Sequence, residues 1–257
     1  MLERPDFDKN NEQIICEMNG RHSDMHMNIR VKRLLAGESF SLCDGECESA
    51  LLILSGEGTV TWEGETRTMK RANPFEKKPY CLHVPKNTEV RFEAAAQSEI
   101  LIQQTDNDVI FTPVFYTPDD CLYQEFGKGQ WEGTGHRICS TVFDYDNAPY
   151  SNMVLGEVFN LSGRWSSYPP HHHPQPEVYY YRFDKPQGFG ACFLGDDVYK
   201  STDRSCSFIT DGNDHEQVTA PGYCMYYVWM IRHIENDPWY KTTRFYATEH
   251  EWLTKAD

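Results

Sequence analysis

The chain has 257 residues, with 24 Lys and Arg against 39 Asp and Glu, for a formal charge of −15. That balance argues against a binder of nucleic acid or anionic membranes, which needs a basic surface to neutralise phosphates. An apolar share of 39 % belongs to a globular chain rather than a disordered one, and the length suits one large domain or two of roughly 100–130 residues.

The opening segment, MLERPDFDKNNEQIICEMNG, is polar and acidic and lacks the apolar stretch of a secretory leader. No run approaches the ~20 apolar residues of a membrane helix. A cytoplasmic protein is expected. Cysteine usage agrees: the nine cysteines are an odd number, scattered from Cys16 to Cys224 without a CxxC pair, as suits reduced thiols. Cys43 and Cys47 form a CxxxC with no second half, so a zinc finger is not expected.

Short segments rich in β-branched and aromatic residues follow one another along the chain. They are 50–54 (ALLIL), 59–62 (TVTW), 89–93 (EVRFE), 99–103 (EILIQ), 154–159 (VLGEVF), 178–183 (VYYYRF) and 223–231 (YCMYYVWMI). Gly, Asp, Asn and Pro punctuate them, and no long stretch carries a 3.6-residue apolar period, so they predict strands of an all-β barrel or sandwich. Ser55-Gly56-Glu57-Gly58 and Glu63-Gly64-Glu65 read as hairpin turns. Helix is expected to be minor, near 247–253. The order of elements runs parallel in two halves joined by the Pro- and Asp-rich piece 112–135, which predicts an N-terminal domain over 1–135 and a C-terminal one over 136–257.

Histidine is unevenly spread: of ten, four fall between 171 and 215. His171, His172 and His173 follow Pro169-Pro170, Glu177 lies four residues beyond His173, and His215 follows between turn-forming residues. In an extended strand His171, His173 and Glu177 share one face and His172 takes the other, with Pro174 and Pro176 as interruptions. A return strand bearing His215 would add a fourth donor. Three neutral imidazoles and a carboxylate suit Zn²⁺, Mn²⁺, Fe²⁺, Ni²⁺ or Co²⁺ and leave one or two positions for water or substrate. The competing reading is a solvated histidine loop. Tyr179 and Tyr181 share the face of Glu177 and can donate to substrate oxygens or pack as aromatic core. Arg182 faces away, as a structural ion pair would. In the first half, His22 and His26 lie far upstream and His83 stands alone, so that barrel is expected to be metal-free and structural. No cationic cluster is evident around the histidines, which argues against a phosphorylated ligand.

Gly163, His171, His173, Glu177, Gly188 and His215 fall in the order of the cupin metal motif. Around them, Gly156-Glu157-Val158-Phe159, Trp165-Ser166-Ser167-Tyr168-Pro169-Pro170-His171, Glu177-Val178-Tyr179-Tyr180, Gln187-Gly188-Phe189-Gly190, Ala220-Pro221-Gly222-Tyr223 and Tyr226-Tyr227 follow in sequence. These blocks resemble the 5-deoxy-glucuronate isomerase family of myo-inositol catabolism, with weaker likeness through the first half and on to Trp252. The resemblance implies a bicupin, two double-stranded β-helix (jelly-roll) barrels with the metal in the C-terminal one. It implies His171, His173, Glu177 and His215 as ligands of a divalent metal (Zn, Mn or Fe), and Glu177, Tyr179 and Tyr181 become the candidate catalytic residues. The implied activity is aldose–ketose isomerisation of 5-deoxy-glucuronate to 5-dehydro-2-deoxy-gluconate. The expected partner is thus a small sugar acid, and cupins often pair barrel faces, so a homo-oligomer is expected. The chain departs from the family at Asn213-Asp214-His215-Glu216, where Gly-Tyr-His-Pro is usual, and at Ala191-Cys192, where Gln-Arg tends to follow the Gly-Phe block. Alternatives are a ketol-isomerase of another deoxy-uronate, a cupin dioxygenase and a non-enzymatic sugar-binding cupin.

Overall fold

Alternating side chains dictate the architecture. The computed structural model describes residues 1–76, 78–210, 212–242 and 244–255. The chain divides into two compact units, one of Pro5–Cys121 with Ala148–Met153, the other of Met1–Arg4, Leu122–Asn147 and Val154–Asp257. Both are built almost wholly of antiparallel strands. Among the described residues helix is limited to three 3₁₀ segments, Ser23–Met25, Trp131–Gly133 and Thr248–Lys255, the last where a minor helix is expected. None is long and apolar enough to cross a membrane.

In the unit of Pro5–Cys121, the strand Cys47–Trp62 organises the sheets. Its first half pairs with Cys81–Val84 and Ser98–Asp106, its second with Glu65–Arg71 and Val90–Ala94. Residues two apart on these strands (Leu51 and Ile53, Val60 and Trp62, Val90 and Phe92, Ile100 and Ile102) meet in one core. The turn expected at 55–58 is not there: the strand runs straight through it. Gly56 adopts φ +106° beside a register shift between Ile53 and Ser55, and a Cβ on it would lie 2.5 Å from the Gln97 carbonyl oxygen. The glycine therefore serves a bulge and a close strand approach, not a reversal. The reversal comes at Glu63 and Gly64, whose φ values of +44° and +82° suit a two-residue hairpin. In the same unit His83 is fully buried 2.7 Å from Glu48, whose carboxylate also accepts from the Ser151 hydroxyl and the Asn152 amide.

In the other unit a seven-stranded sheet runs in the order Leu2–Glu3, Cys206–Ile209, Glu177–Phe183, Met225–Arg232, Met153–Asn160, Arg137–Phe143 and Leu122–Phe126. A four-stranded sheet of Trp165–Ser166, Gln217–Thr219, Phe189–Leu194 and Asp197–Thr202 packs against it, and His171–His172 pairs with Phe245–Tyr246 in a separate two-rung ladder. The core between the sheets takes Tyr179, Tyr181 and Phe183 from one strand, Tyr227, Trp229 and Ile231 from its neighbour, and Cys192 and Leu194 from across the gap. Tyr226, on the opposite face, donates its hydroxyl to the buried Glu157.

Gly156 permits one close contact in this packing. A Cβ there would fall 2.2 Å from the Trp229 ring. Gly156→Ala must displace a core indole and is expected to cost about 1–3 kcal/mol, read as a lowered urea midpoint. An unchanged midpoint would show that Trp229 is not pinned by this strand.

Candidate metal centre

His173, Glu177 and His215 converge: one donor atom from each lies within 4.8 Å of the others, and all three residues are buried. They are the only such group of three among the described residues. Glu177 Oε2 is 3.2 Å from His173 Nε2 and 3.4 Å from His215 Nε2. His171 stands beside this trio, its ring centroid 5.0 Å from that of His215. The chain route differs in detail from continuous alternation. Strand structure at the histidines covers only His171–His172, and the chain bends before the strand Glu177–Phe183 begins. Prolines at 174 and 176 cannot sustain a ladder, and the bend carries His173 back over Glu177. Likewise His215 lies two residues before the strand Gln217–Thr219, not within it. His172 points elsewhere, with Nδ1 2.9 Å from Asp214 and its ring stacked on Phe245.

All three clustered imidazoles are oriented alike. Nδ1 of His171 donates to the Pro169 carbonyl at 2.8 Å, that of His173 to Gln175 at 3.1 Å, and that of His215 to Asn213 at 2.9 Å. A carbonyl only accepts, so Nδ1 carries a proton in each ring and Nε2 is the atom left to face the cluster. Burial favours the neutral form of His171 and of His215. It pushes His215 down to about 4, against the opposing pull of Glu177, and holds His171 well below its usual range, helped by His215 and Arg244. The His215 lone pair therefore faces the Glu177 carboxylate, with His173 Nε2 beside the same oxygen. This is a donor set that a divalent cation completes, so the residues present fit a metal.

The cluster opens into a cavity of about 160 Å³. Tyr179 lines it, with its hydroxyl 3.0 Å from Ser167. Burial first, and then the Glu177 carboxylate, raise its pKa well above the usual phenol value, so it stays a proton donor. Tyr181 is not among the lining residues; its hydroxyl meets Ser207 and the Gln217 side-chain oxygen, each at 2.8 Å. Arg182 pairs with Asp203 at 3.0 Å, as its outward position implies. Sequence reasoning missed Arg137, Lys241 and Arg244, all of which line the cavity. The expectation of no cationic group near the histidines is therefore corrected: these residues lie far away in sequence and reach the cavity only through the sheet and the His171–His172 ladder. No local pattern marks them.

Two sheets rolled about a shared core, with a buried histidine–carboxylate cluster between them, define a cupin, and the whole chain has the bicupin architecture. Similar structures include the IolB-like protein of Salmonella typhimurium LT2 (TM-score 0.86, 23 % identity, 98 % of each chain covered). The oxalate decarboxylase of Lactobacillus farciminis is another (TM-score 0.68, 11 % identity, 96 % of this chain and 86 % of that one). The profile of the KduI/IolB family matches residues 1–253. This chain belongs to the KduI/IolB family, a family of isomerases. Its curated relatives include the 5-deoxy-glucuronate isomerase of Bacillus subtilis strain 168, 26 % identical over 83 % of this chain and 81 % of that protein. That of Geobacillus thermodenitrificans is 24 % identical over 90 % and 87 %.

The depressed His215 pKa makes stability depend on acid. An unfolded histidine takes its proton near 6.5 and the folded one only near 4. Between those values the unfolded chain binds more protons, so stability is full above pH 6.5 and is lost as pH falls toward 4. In chelator-stripped protein this one residue is expected to contribute a loss of about 3 kcal/mol across that window. Urea titrations at several pH values should show a shallower acid slope for His215→Gln than for wild type. Parallel slopes would contradict the burial of a neutral imidazole.

Proposed function

We propose that this protein is a metal-dependent aldose–ketose isomerase that converts 5-deoxy-glucuronate to 5-dehydro-2-deoxy-gluconate in myo-inositol catabolism. The observation that carries the reading is the convergence of His173, Glu177 and His215 at the wall of a small cavity, in a chain whose curated relatives bear that activity by name. His171, His173, Glu177 and His215 would hold a divalent cation: Zn, Mn or Fe. Once bound, it supplies Lewis-acid polarisation of the substrate carbonyl and its neighbouring hydroxyl.

The remaining work falls to the chain itself. The reaction takes a proton from C2 of the aldehyde sugar, returns one to C1 and moves the hydroxyl proton to the former aldehyde oxygen, leaving the ketone at C2. Among the described residues Glu177 is the only carboxylate lining the cavity, and it is assigned the carbon-to-carbon transfer. Tyr179, held neutral beside it, donates its hydroxyl hydrogen to a substrate oxygen. Tyr181 supports that wall from behind through Ser207 and Gln217. Trp229 and Trp239 pack against one another at 5.5 Å and keep one side of the cavity apolar. The unit of Pro5–Cys121 is assigned a structural role without metal.

His173→Ala is expected to strip the bound metal, measured by elemental analysis, and to cut turnover of 5-deoxy-glucuronate, followed by NMR, at least about 100-fold. Tyr179→Phe should keep the metal and lose about 10²–10⁴-fold in kcat. A folded, metal-loaded wild-type protein that leaves 5-deoxy-glucuronate unchanged while turning over another uronate, or while consuming oxygen with Fe²⁺, would sink the assignment.

A further inference from the structure

We propose that Arg137 and Arg244 form the subsite that grips the carboxylate of the sugar acid. The inference deepens the isomerase reading, on which it rests for the identity of the reacting end. Both residues line the same cavity as His171, His173, Glu177 and His215.

Arg137 is fixed in place while most of its donors stay available. It is 8 % exposed at the start of the strand Arg137–Phe143, and its guanidinium lies 5.3 Å from the centre of the Phe126 ring. Nη1 donates to the Gly135 carbonyl at 3.1 Å and Nη2 to the Tyr168 carbonyl at 2.9 Å. Those are two of the five N–H donors a guanidinium carries, and both partners are neutral. Arg244 arrives by another route. It lies two residues before Tyr246, which pairs with His171 in the two-rung ladder, so the same ladder carries a candidate ligand and a cation to the cavity.

Charge balance argues for an anionic occupant. Among the described residues neither Arg137 nor Arg244 has a carboxylate partner, whereas Lys241, on the same wall, is neutralised by Asp144 at 2.6 Å and Asp146 at 3.1 Å. Glu177 is the only lining carboxylate among the described residues, and two imidazoles already face it. Burial, reinforced by Arg244, lowers the Arg137 pKa to about 10, which still leaves it charged at neutral pH. A cation so buried is costly unless a counter-charge arrives. The Trp239 Nε1–H, buried in the same lining without an acceptor, adds to the excess of donors. A carboxylate matches the planar fork of a guanidinium with two parallel hydrogen bonds and would also relieve the repulsion between the two arginines.

The test is calorimetric titration of D-glucuronate, its uncharged counterpart D-glucuronamide, and D-glucose 6-phosphate into metal-loaded wild-type, Arg244→Gln and Arg137→Lys protein, with metal content and circular dichroism checked for each. Wild type should bind glucuronate about 10–100-fold more tightly than glucuronamide, the value of a charge-assisted pair of hydrogen bonds. Arg244→Gln should lose at least about 10-fold of that preference while its affinity for the amide stays within about 3-fold. Arg137→Lys, which keeps the charge and loses the fork, should lose part of it. The clamp is overturned if wild type binds the acid and the amide equally or binds neither. It is also overturned if both variants keep the full preference, or if glucose 6-phosphate binds more tightly than glucuronate. Should the acid preference and its arginine dependence hold while 5-deoxy-glucuronate is not turned over, the clamp stands and the isomerase reading falls. Turnover without any acid preference gives the reverse.

Discussion

One oxygen atom, Glu177 Oε2, faces Nε2 of both His173 and His215 across 3.2 and 3.4 Å. The surrounding chain turns these three atoms toward one another. Three backbone carbonyls hold the Nδ1 protons away from the cavity, and burial disfavours any further proton on His171 and His215. A buried carboxylate beside the neutral His215 imidazole has little to gain from that neighbour alone. The geometry is that of ligands waiting on a charge, and the cavity, the phenol of Tyr179 and the two indoles are arranged about it.

Much of this was legible in the residues. Short runs rich in β-branched and aromatic residues, set between turn formers and without helical periodicity, marked the strands, as at Glu177–Phe183, Val90–Ala94 and Met225–Arg232. Where the reading failed, a glycine had two physical uses. Gly56 suggested a turn because it tolerates positive φ, and it does adopt one, but inside a bulged strand that needs a residue without Cβ. Only the packing of the strand Ser98–Asp106 against it distinguishes the two cases, and that packing is not local. At Glu63 and Gly64 the same chemistry makes a hairpin because nothing crowds it: a Cβ at Gly64 would meet no atom within 4 Å.

The candidate site divides along the same line. His173 and Glu177 are four residues apart, so their spacing could be reasoned about, although a proline-driven bend and not an unbroken strand joins them. His215 could be proposed as a donor on a return strand, but it lies two residues before the strand Gln217–Thr219, not within it. Tyr181 shows the limit of facing arguments: it shares a core face with Tyr179, yet its hydroxyl is spent on Ser207 and Gln217. Arg137 and Arg244 were out of reach, because a cation more than a hundred residues from its neighbour in space leaves no periodic or spacing signal.

The ladder between His171–His172 and Phe245–Tyr246 has only two rungs, with one further tie from the Ala247 amide to the Pro170 carbonyl at 3.1 Å. So short a pairing lies at the low end of local stability. Fraying there would withdraw an imidazole and a guanidinium in the same event, so retention of the ion and capture of the anion would rise and fall as one equilibrium. Whatever occupies the cavity would in turn fasten the segment that holds it, and the tightness of that clasp would set how long the occupant stays.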